Sequence, residues 1–505
     1  MINGRVTLVY TLLLLFLNFF SRKIFLDCLS DDLMGLNTAL TNIIQFLNIA
    51  EAGISFAISA FLYKSYTGRD ISEINEIVSF QGVLYKRIGT VIIGSGLVTM
   101  CLFPLIFAKA HIIWYYPYLA FAVILLNSFL FYFFNYRQIV LVASQNTYKI
   151  KYSYQSILTV KLIVQMIAVT YLPHKYLVWL ALELIFAVLA SLVLNICVRR
   201  STPYLKKVHK PYSYFKEKYP QILTKIKQLI YHKIGLFSLQ QTTPLIVYGF
   251  ASLSVVTRYF NYYLIFLAGT DILRAVIESL TGSVGNLANS SDKKKIIDVY
   301  YELFSLQFLV SAILASAGYY FTTPIITLWL GAEYAMPASV VILMLIWMFI
   351  VATRNVTDTY LNAYGCFGDI WAPVTEVILN ITLSILMGLK YSLFGIVLGM
   401  VISEFLVVFL WKPFYLYYKA LHISFFDYLR TLALQLLLGT VTFFAVSGIP
   451  NPEYASGNVL SFILNATTYV LSFSVILYIL MSLFTGGMKR TNRRISDYIG
   501  SKFKK

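Results

Sequence analysis

The feature that most limits what this chain can fold into is the recurrence of uninterrupted apolar runs about 20 residues long. A helix rising 1.5 Å per residue needs about 20 such residues to cross the hydrocarbon core of a bilayer. Fourteen stretches meet that standard: 5–27, 34–63, 88–108, 112–141, 151–172, 175–198, 229–252, 254–284, 299–322, 338–363, 370–388, 392–414, 426–449 and 458–484. The runs are continuous rather than alternating, which excludes the short dyad pattern of a membrane β-barrel. The first, VTLVYTLLLLFLNFF, has no small-residue cleavage site after it and is expected to be a retained helix. Composition agrees with the runs. Of 505 residues, 59% are hydrophobic and 12% charged, and mean hydropathy is +0.74. The expected class is an all-α integral membrane protein.

Charge placement orients the helices. With the N-terminus in the cytoplasm, most of the 40 basic residues fall in cytoplasmic segments: Arg5, the 64–87 and 137–151 clusters, the 199–233 segment, Lys293–Lys295, Lys412, Lys419, Arg430 and the tail after 488. External loops keep Lys109, Lys175 and Lys390, beside Asp31, Asp32, Glu333 and Glu453. Such asymmetry is the positive-inside pattern, and it places both termini in the cytoplasm. The formal charge of +18 therefore records topology. Nucleic-acid binding is the other way to read the basic 199–228 loop, and the membrane pattern displaces it. That loop and the tail MKRTNRRISDYIGSKFKK both read as amphipathic segments on an anionic leaflet. Four scattered cysteines and five histidines supply no metal-ligand spacing, so neither a metal nor another cofactor is expected.

The long loop splits the first twelve stretches into two sixes, the arrangement of a transporter built from repeats. The expected division is a six-helix lobe over 1–198, a linker over 199–228, a second six-helix lobe over 229–420, two further helices over 421–485, and a tail over 486–505.

Charges inside the apolar stretches are the candidate chemistry, because each costs about 2.5–3.5 kcal/mol at mid-bilayer on insertion scales. Asp271, Arg274 and Glu278 share one helical face, as do Arg354 and Asp358. Arg22, Lys23, Glu51, Lys161, Glu183, Arg258, Glu376 and Glu404 complete the set. Some have purely structural readings: Arg354–Asp358 and Arg274–Glu278 as local ion pairs, Lys161–Glu183 as a bridge, and Arg22 and Lys23 snorkelling outward. Together they point to a hydrated, partly cationic cavity. Arg22, Lys161, Arg258, Arg274 and Arg354 suit an anionic or phosphorylated substrate, because guanidinium forks match phosphate oxygens. Glu51, Asp271, Glu278 and Asp358 suit coupling to a proton or Na⁺ gradient.

Local strings add a family. MGLNTALTNIIQFLNIAEAGISFAISAFLY (34–63), HKIG (232–235), Tyr259-Phe260-Asn261-Tyr262, GSVGNLA (282–288) and PIITLWLGAEY (324–334) occur in the order found in bacterial polysaccharide flippases. Over most of residues 5–420 the chain resembles the Wzx-type branch of the multidrug/oligosaccharidyl-lipid/polysaccharide exporter superfamily. The resemblance implies two six-helix lobes and alternating access in a bacterial inner membrane. It also implies transfer of undecaprenyl-diphosphate-linked oligosaccharide to the outer leaflet for O-antigen, capsule or exopolysaccharide, with a polymerase and a chain-length regulator as partners. The competing readings are a cation-coupled multidrug antiporter, a peptidoglycan-precursor flippase of the same fold, and a membrane polymerase or glycosyltransferase. External loops too short for a catalytic domain, and the lack of a cytoplasmic D-x-D motif, weigh against an enzyme.

Overall fold

A computed structural model describes residues 2–110, 112–278, 284, 287, 292–364, 366, 368–369, 371–449 and 459–503. Within these, it gives the helix course without side chains at 2, 4, 7–8, 49–50, 52, 56, 60, 64, 67, 228–242, 275, 278 and 498–503. Among the described residues the regular structure is helical throughout, and ten helices are long and apolar enough to cross a membrane.

By Cα proximity the chain forms two compact units, Met1–Thr257 and Arg258–Lys505. The first holds α1 (Ile2–Cys28), α2 (Asp31–Leu47), α3 (Ala52–Thr67), α4 (Ile71–Cys101), α5 (Tyr116–Phe133), α6 (Thr147–Tyr171), α7 (Lys175–Ser201), the short α8 (Tyr212–Lys218) and α9 (Pro220–Phe250). The boundary falls in the first turns of α10 (Leu253–Glu278), so α9 belongs to this unit, where it runs along α2 and α3. Side-chain oxygens start the helices that the loops interrupt. Ser30 accepts the Leu33 amide at the head of α2, and Asp70 accepts that of Glu73 at the head of α4.

The 199–228 linker is held by α4. Asn75 clamps the linker backbone from both sides: its Nδ2 donates to the Tyr204 carbonyl at 3.3 Å and its Oδ1 accepts the Lys206 amide at 2.9 Å. One turn on, Ser79 Oγ accepts the Val208 amide at 2.9 Å. Glu76 accepts Tyr219 at 2.6 Å and pairs with Lys218 at 2.6 Å, and this hydrogen bond pushes the Lys218 ammonium pKa up. Phe80 stacks on the fully buried Phe215, and Arg87 lies 3.8 Å above the Tyr212 ring. One stripe of α4, at three- and four-residue spacing, thus receives the loop's Tyr212, Phe215, Lys218 and Tyr219.

The second unit holds most of α10, then α11 (Lys293–Leu330), α12 (Ala338–Thr353), α13 (Asn355–Ala363), α14 (Trp371–Leu421), α15 (Phe425–Ala445), α16 (Val459–Phe484) and α17 (Gly486–Phe503). α14 is two helices in a hairpin, folded at Ser392, whose φ of 50° and ψ of −134° turn the chain back within one residue. Its arms touch backbone to backbone: a Cβ on Gly395 would stand 2.1 Å from the Met387 carbonyl oxygen, and one on Gly399 2.4 Å from the Ser384 nitrogen. α17 docks instead of trailing. Arg490 pairs with Asp298 at 3.3 Å and Arg494 with Glu302 at 3.1 Å, Met488 is fully buried, and Gly487 sits against the Tyr301 carbonyl. Tyr300, Tyr360 and Tyr417 meet edge to face at the centre of this unit's core.

Replacing Gly399 by leucine is expected to force the arms of α14 apart. An overpacked seam costs about 1–3 kcal/mol, read as a lower midpoint of thermal unfolding in detergent; an unchanged midpoint would refute the close approach.

Candidate functional site

In the second unit the helix carrying Arg354 breaks at that residue, between α12 and α13. Arg354 Nε donates to Asp358 Oδ2 at 2.8 Å, and Lys412 Nζ to the other oxygen, Oδ1, at 3.1 Å. One carboxylate therefore bridges two cations. Arg354 Nη1 also lies 3.9 Å from Glu404 Oε2. Glu376, on the facing arm of α14, lies near enough to Glu404 for each carboxyl to feel the other's charge. Both glutamates are almost sealed from solvent, 5% and 2% exposed, and neither Glu404 Oε2 nor Glu376 Oε1 has a hydrogen-bond donor.

The seam shows how sequence builds this arrangement. Glu376, Asn380, Ser384 and Gly388 recur every four residues on the first arm and are all buried. Ser403 and Glu404 face them from the second arm, with Asn380 Nδ2 donating to Ser403 Oγ at 3.3 Å. The glycines that let the arms touch at one end thus bring two carboxyls together at the other.

Two buried carboxyls near each other resist ionising together, so a proton retained on one of them relieves the repulsion. Charge balance requires the same number. Arg354 and Lys412 supply two positive charges and Asp358, Glu376 and Glu404 up to three negative ones, so a single proton on the glutamate pair makes the cluster neutral. An uncompensated charge here would cost several kcal/mol. Chemically, the arrangement can hold a proton on its paired acids beside two cations.

The remaining sequence candidates are distributed as follows. Asp271 and Arg274 pair at 3.3 Å on α10, half and one-third exposed. Tyr263, stacked 5.2 Å from Trp347, is near enough to Asp271, Arg274 and Glu404 to feel all three charges. Arg258 lies at the start of α10, its Nε buried without a hydrogen-bond acceptor. The Glu278 side chain lies outside the described residues. In the first unit, Arg22 approaches Met34 Sδ at 3.7 Å, and Lys23 pairs with Asp27 one turn along. Lys161 pairs with Glu183 at 2.7 Å, and Gln165 donates to the second Glu183 oxygen at 3.0 Å, the geometry of a structural bridge. Glu51 accepts Tyr85 at 2.6 Å and Ser55, while Tyr132 donates to Asn48 at 2.9 Å.

Two groups in the cluster escape a residue-by-residue search. Lys412, counted by the sequence among cytoplasmic cations, is largely buried, because helix continues through π-helical turns to Leu421 and places it two turns beyond Glu404. Glu376 and Glu404 read as separate acids until the hairpin is known. The four-residue spacing of Glu376, Asn380 and Ser384 inside an apolar run was the available signal.

No family model and no curated protein matches the sequence. Solved structures do match. A structure of the lipid II flippase MurJ, inward closed, aligns with 94% of this chain and 98% of its own at a TM-score of 0.66 and 12% identity. An inward-facing multidrug resistance MATE transporter of the MOP superfamily aligns with 79% and 93% at 0.59 and 13%. A MOP superfamily transporter from Pyrococcus furiosus aligns with 84% and 94% at 0.50 and 12%. The chain has the fold of these transporters. At such identity the likeness speaks for architecture alone, and it bears out the all-α, multi-span class read from the apolar runs.

The bridge reading of Lys161 is open to a double-mutant test. Lys161→Met leaves Glu183 without its cation, a loss of roughly 1–3 kcal/mol for a buried polar group, and adding Glu183→Leu should recover most of it. A double variant no more stable than the single one in thermal unfolding would remove the bridge.

Proposed function

We propose that this protein is a flippase for polyprenyl-diphosphate-linked oligosaccharides in a bacterial inner membrane, driven by exchange of a proton at the Glu376–Glu404 pair. The observation that carries the reading is one carboxylate, Asp358, holding both Arg354 and Lys412 beside two buried glutamates. A diphosphate offers two cations more oxygen acceptors than Asp358 does, and arginine engages such oxygens in pairs. Loss of the shared proton leaves the cluster with excess negative charge, which weakens its hold on an anion. Binding and release of an anionic headgroup are thereby linked to proton movement. Arg258 and Arg274 are the further cations proposed for the headgroup. The polar group of Glu51, Ser55 and Tyr85 is a second place for a coupling cation.

The near-full-length likeness to a lipid II flippase supports a lipid-linked substrate over a drug, and the family strings support a surface glycan over a peptidoglycan precursor. A lipid-linked cargo leaves its polyprenyl tail in hydrocarbon while only sugar and diphosphate cross, which avoids most of the transfer cost of the polar groups. A polymerase and a chain-length regulator would take up the product on the outer face.

Proteoliposomes holding a fluorescent polyprenyl-diphosphate oligosaccharide test this directly. Flipping is expected to respond to an imposed pH gradient, and Arg354→Ala is expected to slow it by tenfold or more with protein level intact, as for a buried charge-assisted contact of about 1.5–3 kcal/mol. Equal flipping by protein-free vesicles or by Arg354→Ala would reject the assignment, and faster transport of cationic drugs would favour the antiporter.

A further inference from the structure

The break at Arg354 has a specific cause on the neighbouring helix. In an unbroken helix the Val356 amide would donate to the Ala352 carbonyl, four residues back. Here it donates to Gln307 Oε1 of α11 at 2.9 Å, and Gln307 Nε2 donates to that same Ala352 carbonyl. One side-chain amide is inserted into one rung of the helix, satisfying both groups that the insertion separates. Side chains entering the hydrogen-bond ladder are a recognised cause of sharp helix bends.

The insertion is built with care. Gln307 is 1% exposed, and its own carbonyl accepts Ser311 Oγ at 2.8 Å. Asn355 Nδ2 makes a second contact to the Ala352 carbonyl at 3.3 Å, and Thr353 Oγ1 donates to Phe349 O at 2.9 Å. The regular ladder resumes where Asp358 N donates to Arg354 O at 3.0 Å. Arg354 is thus the residue enclosed by the opened rung, and its direction depends on how far the rung is opened.

We propose that Gln307 is the positioning residue of the buried charge cluster: by wedging open the Ala352–Val356 rung it aims Arg354 at Asp358 and Glu404. The proposal rests on the proton-site reading above. The charged and titratable groups around Arg354 are Asp358 on α13, Glu376 on the first arm of α14, and Glu404 and Lys412 on the second. Tyr263 of α10, stacked on Trp347 of α12, is within reach of Glu404's charge. On α11 the acid nearest in sequence, Glu302, is engaged by Arg494. Gln307 itself carries no charge, so its effect on the cluster passes through the backbone. Without the wedge the rung closes to an ordinary helical turn, Arg354 swings with it, and the glutamate pair loses its nearest cation.

The test uses purified full-length protein in detergent and the proton it releases on alkalinisation, which requires no transported lipid. Gln307→Met keeps the volume and removes the amide; release from the Glu376–Glu404 pair is expected about one pH unit higher, the size of effect a nearby opposite charge exerts. Gln307→Leu, which also lacks the amide but differs in shape, should give the same shift, which a residue that only fills space would not do. Gln307→Met and Gln307→Leu profiles that both overlay the wild type would overturn the proposal while leaving the proton site intact. Absence of a Glu376-dependent proton in the wild type would instead reject the site itself, so the two failures are distinguishable.

Discussion

The burial of Glu376 and Glu404 close together across the α14 hairpin is the constraint on which the second unit's chemistry depends. Two acids are brought into contact inside an apolar helix pair, where a single uncompensated charge is costly. The hairpin at Ser392 and the glycines at 395 and 399 make the contact unavoidable by pressing the arms together. The cations follow from it. Lys412 and Arg354 are drawn to the same place, and Asp358 bridges them so that one proton suffices for neutrality. Helix geometry supplies the positions, and electrostatics decides which charge states can occupy them.

Other charges have simpler duties. Lys161, Glu183 and Gln165 close a bridge between α6 and α7, and the Arg490 and Arg494 pairs fasten α17 to α11. Glu76 gathers two tyrosines and a lysine from the 199–228 linker. An ionisable residue within or beside a spanning helix is therefore no pointer to function until its partner is known. What distinguishes the Arg354 cluster is an odd number of titratable charges with no donor for two carboxyl oxygens.

Much of the architecture was legible in the sequence because spanning a bilayer demands long apolar helices, and those are visible as runs. Boundaries were less so. The sequence separates 370–388 from 392–414, yet it does not show that Ser392 alone makes the turn, because a non-glycine residue at φ 50° leaves no compositional mark. The linker and the tail both carry the basic, aromatic signature of a membrane-surface segment. Their docking on α4 and α11 depends on Asn75, Ser79, Asp298 and Glu302, whose relevance only a fold reveals. The i,i+4 pairing of Arg354 with Asp358 was readable from spacing alone. Lys412, Glu376 and Gln307 join that pair across helices, and no local pattern announces it.

The central claim is that one of the cluster's three carboxyl side chains carries a proton at neutral pH. Infrared difference spectroscopy on the purified protein measures it directly, through the carbonyl stretch of a protonated carboxylic acid. The account predicts such a band at neutral pH, insensitive to hydrogen–deuterium exchange at the surface, bleached on alkalinisation, and lost in Glu376→Gln/Glu404→Gln. A neutral-pH spectrum without that band, or one unchanged in the double variant, would contradict it.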